Sequence, residues 1–160
     1  MPITKAHLMD SFYPYFAKHK EFVLIVCDMG FAVLDKYFEN YPERVILMGI
    51  SEQATIGIAA GMALEGLRPV IYSQAPFITM RCFEQLRYDA NEHNLQVIVI
   101  GVGACNYFNK LGRSHCIDND DIKLMSLLDN FLVLLPEKET IQENIRKMVL
   151  YKGPVYVSVI

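Results

Sequence analysis

The amino-acid sequence predicts an α/β fold, a three-layer α/β/α sandwich on a mainly parallel six-stranded sheet. Three observations lead there. Six short apolar runs rich in β-branched residues recur, segments with helical spacing separate them, and the two kinds alternate along the chain. Continuous apolar strands between amphipathic helices imply a sheet covered on both faces and joined by right-handed crossovers.

Residues 1–20 carry Leu8, Met9, Phe12, Tyr15 and Phe16, which predicts an amphipathic helix that docks on this domain or on a partner, kinked or broken at Pro14. Apolar runs at 22–27, 44–48, 69–72, 96–100, 131–135 and 155–160 read as strands. Segments 31–40, 52–66, 79–93, 120–130 and 137–151 read as helices. Residues 1–160 form one expected domain, with no internal repeat and no linker. Ligands of such sheets collect at the carboxyl ends of the strands. Here those places are Asp28-Met29-Gly30, Gly49 to Glu52, Ser73 to Phe77, and a long loop at 101–119. That loop exceeds the usual connection length and carries Gly101, Gly103, Gly112 and His115, which marks it as functional.

Bulk composition narrows the function classes. The 160 residues are 52% hydrophobic and 21% charged, which is globular composition. A net charge of −3 with scattered basic residues offers no field for nucleic acid. No segment reaches the roughly 20 apolar residues of a membrane span, so no membrane association is expected. Residues 1–20 lack the unbroken apolar stretch of a secretory signal. Cys27, Cys82, Cys105 and Cys116 show no CxxC pairing and no metal-ligand spacing with the four histidines, so a cytoplasmic location and no metal ligand in this chain are expected. Gly101-Val102-Gly103 lacks the third glycine of a dinucleotide fingerprint, and no GxxxxGK[ST] occurs.

The most informative stretch runs from Met48 to Gly66. A strand ends there and Glu52 opens the next helix. Glu52 reads either as a first-turn carboxylate favoured by the helix dipole by about 0.3–1 kcal/mol, or as a functional acid. The helix itself is small-faced, with Gly57, Ala59, Ala60, Gly61 and Ala63, although an interior glycine costs about 1 kcal/mol relative to alanine. Either it packs tightly on the sheet, or it presses against a cofactor or a partner subunit.

Gly49-Ile50-Ser51-Glu52-Gln53 followed by Gly57-Ile58-Ala59-Ala60-Gly61 resembles the GI-x-EQ…GIAAG segment of the pyrimidine-binding domain of transketolases. Further matches keep the same order. They are Asp28-Met29-Gly30, Phe77 with Arg81 to Arg87, Asn94 to Val97, Gly112-Arg113-Ser114-His115, Asp121-Ile122 and Gly153 to Tyr156. The resemblance spans about residues 22–160. It implies the thiamine diphosphate-binding fold in its pyrimidine-type form, and a subunit of a two-component enzyme that transfers a two-carbon ketol unit between sugars.

By that resemblance the cofactor is thiamine diphosphate, lying between two chains. Glu52 matches the glutamate that hydrogen-bonds a ring nitrogen of the aminopyrimidine, a role that needs a carboxyl group in a dry interface, while the helix N-terminus favours its ionised form. Phe77 matches the aromatic that stacks on the pyrimidine, or else packs in the core. Asp28 matches an acid turned towards the thiazolium, or else serves a turn. His115 matches the histidine that touches substrate hydroxyl or carbonyl groups, so Glu52 and His115 are the expected catalytic pair. Asp28, Ile50, Glu52, Phe77 and Arg81 are the expected cofactor contacts. Where ordinary transketolases carry an aspartate that reads a sugar hydroxyl, this chain has Leu111, which with Tyr107 and Phe108 implies a modified or nucleotide-linked sugar acceptor.

No GDG-type metal-diphosphate motif occurs, and the sequence ends after the sixth strand, where many relatives continue into a carboxyl-terminal domain. The resemblance therefore implies a companion subunit that carries the diphosphate-binding domain and holds Mg2+ or Ca2+, in an α2β2 heterotetramer. Without that companion the chain is expected to be inactive. Self-association through the pyrimidine domain is a further expectation. A thiamine-dependent 2-oxo acid decarboxylase or carboligase subunit and a non-catalytic scaffold are the alternatives.

Overall fold

The structure, a computed structural model, describes residues 3–160. Its centre is a six-stranded sheet in the order β2-β1-β3-β4-β6-β5. The strands are β1 (Phe22–Val26), β2 (Val45–Leu47), β3 (Arg68–Gln74), β4 (Ile98–Val102), β5 (Leu132–Leu134) and β6 (Val155–Val159). Every pairing is parallel. The alternation seen in the sequence thus becomes an all-parallel sandwich, because each strand must cross over through a helix before it can pair in the same direction.

Side-chain alternation along the strands divides the interior into two layers. Leu24, Val26, Val70, Tyr72, Ile98 and Ile100 face α1 (Lys5–Lys18), α2 (Asp35–Asn40) and α6 (Ile141–Leu150). Ile25, Ile71, Val97, Val99 and Tyr156 face α3 (Glu52–Leu64) and the segments that follow it, including α4 (Phe83–Gln85) and α5 (Asp120–Met125). Period-two alternation is what a pleated strand imposes.

Three local expectations change. Pro14 neither breaks nor ends α1, which runs on to Lys18. Buried Phe12 and Phe16 hold its face against the sheet, and the Arg44 guanidinium donates to the carbonyls of Phe16 (2.9 Å) and His19 (3.0 Å) at its carboxyl end. Packing and that cap outweigh one missing N–H. The docking partner of this helix is therefore its own domain. The segment expected as a helix over 79–93 is instead mostly π-helical, at Phe77–Arg81 and Leu86–Asn91, with only α4 between. Nothing in periodicity separates a π turn from an α turn over so few residues. The helix expected at 120–130 stops at Met125, because Ser126 to Asn130 form turns before β5.

Backbone strain gathers at the carboxyl edge of the sheet. Asp28 (φ 44°), Ala32 (φ 63°), Cys105 (φ 52°), Asn106 (φ 58°) and Asp118 (φ 51°) are all left-handed there. Such residues cost on the order of 1 kcal/mol or more each and cluster where function needs them.

Candidate active site

The chain reverses direction across the sheet between β1 and β3, since β2 lies outside β1 and the next crossover returns to the other side. That switch point leaves a crevice at the strand ends. A cleft of about 160 Å³ opens there, lined by Cys27, Asp28, Ile50, Glu52, Gln74, Phe77 and His115 among others. Its volume is close to that of an engineered cavity of about 150 Å³ that admits benzene. That volume is on the scale of one six-membered ring.

Each loop at this edge contributes. Asp28 follows β1 in a left-handed conformation that an aspartate tolerates. Gly49, at φ 65°, turns the chain out of β2 and leaves Ile50 at the mouth, 75% exposed. Glu52 then opens α3, as its sequence context predicts, and is only 4% exposed. Its Oε2 accepts from Arg81 Nη1 at 3.0 Å. The π turn after β3 places Arg81 so that its guanidinium also lies over the Phe77 ring, 4.4 Å from the centroid. His115, from the long loop, meets Phe77 edge-on with ring centroids 5.0 Å apart. Ser114 Oγ lies 3.1 Å from His115 Nδ1.

The structure thus gathers Asp28, Ile50, Glu52, Phe77 and His115 around one cleft, and ties Arg81 to it through Glu52. The small-faced helix divides its roles. Ala59 and Ala60 are buried against the sheet, whereas Gly57 and Gly61 face outward. A methyl group at Gly61 would meet nothing within 4 Å, and one at Gly57 only Asp89 Oδ2 at 3.8 Å. Packing inside the chain does not require either glycine.

Sequence reasoning marks Gln74 and Cys27 only by their place at strand ends. Gln74 Oε1 is buried with no hydrogen-bond partner. An orphaned polar atom at a cleft wall calls for a partner from outside the chain. The Cys27 thiol lies 3.5 Å from Thr55 Oγ1, and burial pushes its pKa up, so it stays a neutral lining group. Among the described residues no group of three or more His, Cys, Asp or Glu could hold a metal ion, and no helix is long and apolar enough to cross a membrane.

A buried polar anchor holds the long loop from below. Asp121, fully buried, accepts from Tyr156 Oη (2.8 Å) and Ser158 Oγ (2.7 Å), which pins the start of α5 to β6.

Comparison with known proteins adds to this geometry. Residues 4–159 match the family described as transketolase, pyrimidine binding domain. The chain belongs to that family. Among curated relatives, it is 31% identical over 127 residues to one subunit of an apulose-4-phosphate transketolase of Actinobacillus succinogenes, covering 79% of this chain and 40% of that protein. It is 33% identical to a 1-deoxy-D-xylulose-5-phosphate synthase of Carboxydothermus hydrogenoformans, covering 76% and 19% respectively. Among solved structures, a split-gene transketolase in an inactive beta4 tetramer superposes with a TM-score of 0.82 at 26% identity, over 96% of this chain and 49% of that one. The chain spans less than half the length of each of these relatives. Its family membership bears out the thiamine-type α/β fold that the GI-x-EQ segment implied, and that family is thiamine diphosphate-dependent.

Proposed function

We propose that this chain is the pyrimidine-binding part of a two-component, thiamine diphosphate-dependent transketolase-like enzyme, one that moves a two-carbon ketol unit between sugars. The observation that carries the reading is the buried Glu52 carboxylate on a ring-sized cleft beside Phe77 and His115. The residues fit an aminopyrimidine, since a planar apolar ring with polar edges needs a carboxyl partner, an aromatic face and an acceptor for its amino group. Glu52, Phe77 and the orphaned Gln74 Oε1 supply those three.

Thiamine diphosphate, when bound, supplies the nucleophilic thiazolium carbon on which the two-carbon unit is carried. The chain's own residues do the rest. Glu52 shares a proton with a pyrimidine nitrogen, in a position where burial strengthens that hydrogen bond. The ion pair with Arg81 keeps the carboxylate oriented, and Phe77 holds the ring plane. Ile50, exposed at the mouth, offers an apolar edge against which the companion closes the pocket. Asp28 sets a negative charge at the entrance, and His115 donates or accepts at a substrate oxygen.

The diphosphate-binding site, the metal ion it holds and a closed pocket come from a companion subunit. The outward Gly57 and Gly61 of α3 support this, because a helix keeps such costly residues where another backbone must come close. The Actinobacillus relative, named as one subunit of a transketolase acting on a sugar phosphate, supports a ketose-phosphate donor class. Exposed Leu111 in the substrate loop supports an acceptor less polar than a plain pentose phosphate.

Thiamine diphosphate titrated by calorimetry into the chain alone, the companion alone and the pair decides the assembly question. Binding is expected only in the pair. Glu52→Gln should lower turnover of the pair by about 10²–10⁴-fold with assembly unchanged. A fully active Glu52→Gln enzyme would sink the reading.

A further inference from the structure

The long loop that carries His115 is pinned at its base and reaches the candidate cleft at its tip. At the base, Gly103 N and Ala104 N donate to the Val159 carbonyl (2.9 and 3.1 Å), Cys105 N donates to the Asp118 carbonyl (3.0 Å), and Asp118 N donates to Asn106 Oδ1 (2.8 Å). From there the chain runs through two short 3₁₀ turns, Asn109–Leu111 and Arg113–His115, to the His115 ring on Phe77. Most of that stretch is exposed. Such a segment opens easily unless a group outside it holds it.

Tyr107 and Phe108 sit between base and tip. Their rings meet edge-on with centroids 4.9 Å apart, and Phe108 occupies the space that a side chain at Gly103 would need. One cation lies over both rings. Lys5 Nζ is 4.7 Å from the Tyr107 centroid and 5.1 Å from that of Phe108, within the range of about 6 Å over which a ring attracts a cation. Lys5 is the first residue of α1, so it stands on a rigid element. Thr4 Oγ1 caps that helix by accepting from His7 N at 3.3 Å, Lys5 N donates to the Ile160 carbonyl at 3.2 Å, and Leu8 and Met9 are buried. The position itself is unfavourable for a cation, because the helix dipole is positive there and the first turn holds no acid. Among the described residues Lys5 makes no ion pair. The two rings are what hold its ammonium in place.

We propose that Lys5 is a positioning residue: through Tyr107 and Phe108 it clamps the long loop shut and so sets where the His115 ring stands at the cleft. The proposal takes from the reading above only that His115 meets the substrate. The clamp itself does not depend on which reaction the chain serves.

Hydrogen exchange and NMR of the histidine rings test this on the full chain alone. The amides of Leu111, Gly112 and His115 donate to the carbonyls of Phe108, Asn109 and Gly112, so their exchange reports opening of the loop. Lys5→Met keeps the apolar stem and removes the charge. It should speed exchange of those three amides about 2–5-fold, while the amides of Ile98, Val99 and Ile100 in β4 stay unchanged. In the wild type the His115 ring protons should carry a ring-current displacement, identified as the one that Phe77→Leu abolishes. Lys5→Met should diminish it, and Lys5→Arg, which keeps a cation over the rings, should restore both readouts. Tyr107→Leu should act in the same direction, and its combination with Lys5→Met should fall short of the sum of the two. Unchanged loop exchange and an unchanged His115 signal in Lys5→Met, or no recovery in Lys5→Arg, would overturn the proposal. Faster exchange in β4 together with the loop would overturn it as well, since Lys5 would then stabilise the fold at large. Neither readout needs cofactor or companion, so these results stand apart from the thiamine diphosphate titration that decides the reading above.

Discussion

The two faces of the sheet are finished to different degrees. On the α1/α2/α6 face, Phe12, Phe16, Phe22 and Tyr37 interlock edge-on, with centroid separations between 5.0 and 6.2 Å, and all four are fully buried. The Tyr37 hydroxyl donates to the Met9 carbonyl at 2.6 Å. On the α3 face the core is built of smaller groups, such as Ala59, Cys82 and Ala90, while Ile58, Leu64, Met80 and Tyr88 remain in water. One face carries the interlocked aromatic core. The other keeps apolar surface and outward glycines in reserve, which is how a protein looks where assembly completes the burial.

Substitutions can break this contrast. The largest effect is expected from Phe16→Ala, which empties an aromatic site on the finished face and should cost about 3–5 kcal/mol in urea denaturation; a loss below about 1 kcal/mol would show that this face is not the stabilising one. Next is Gln74→Met, which keeps the volume but removes the orphaned acceptor. It should weaken thiamine diphosphate binding by the assembled enzyme about tenfold, with the stability of the chain little changed. Gly61→Ala sharpens the comparison by splitting its two consequences. The isolated chain should gain about 0.5–1 kcal/mol, because a methyl group there meets nothing, whereas affinity for the companion should fall.

The smallest effect is one of pH. Burial pushes the Cys82 thiol from 9.0 up to about 12, with the Glu52 carboxylate adding to the shift. The folded chain therefore binds this proton more tightly than the unfolded one. Its contribution to stability is complete below about pH 8, starts to fall as pH approaches the unfolded value of 9.0, and is lost as pH rises towards 12. Between about pH 8 and 9 the loss should be a few tenths of a kcal/mol, read from urea midpoints, and Cys82→Ala should flatten it.

The parts of the fold that rest on periodicity are legible in the sequence. Six apolar runs become six strands, and the GI-x-EQ context puts Glu52 at the head of α3. What stays hidden depends on distances between segments. Arg81 is expected at the cofactor, yet its pairing with Glu52 and its stacking on Phe77 arise from a π turn that no sequence period announces. Gln74 looks like any strand-end residue, and only the closed geometry around it shows an acceptor without a donor. Pro14 misleads for the opposite reason, because tertiary contacts at Phe12, Phe16 and Arg44 override a local helix breaker.

Gly101 and Tyr156 impose a rule on how this chain can vary. A Cβ at Gly101 would lie 2.1 Å from the Tyr156 hydroxyl, the group that holds Asp121. Alanine at 101 is then compatible only with a smaller residue at 156, which in turn leaves Ser158 alone to hold the aspartate that pins the start of α5. Position 101 is free to change only together with a distant one, 156, and the long loop that carries His115 inherits that restriction from a tyrosine that lies outside it.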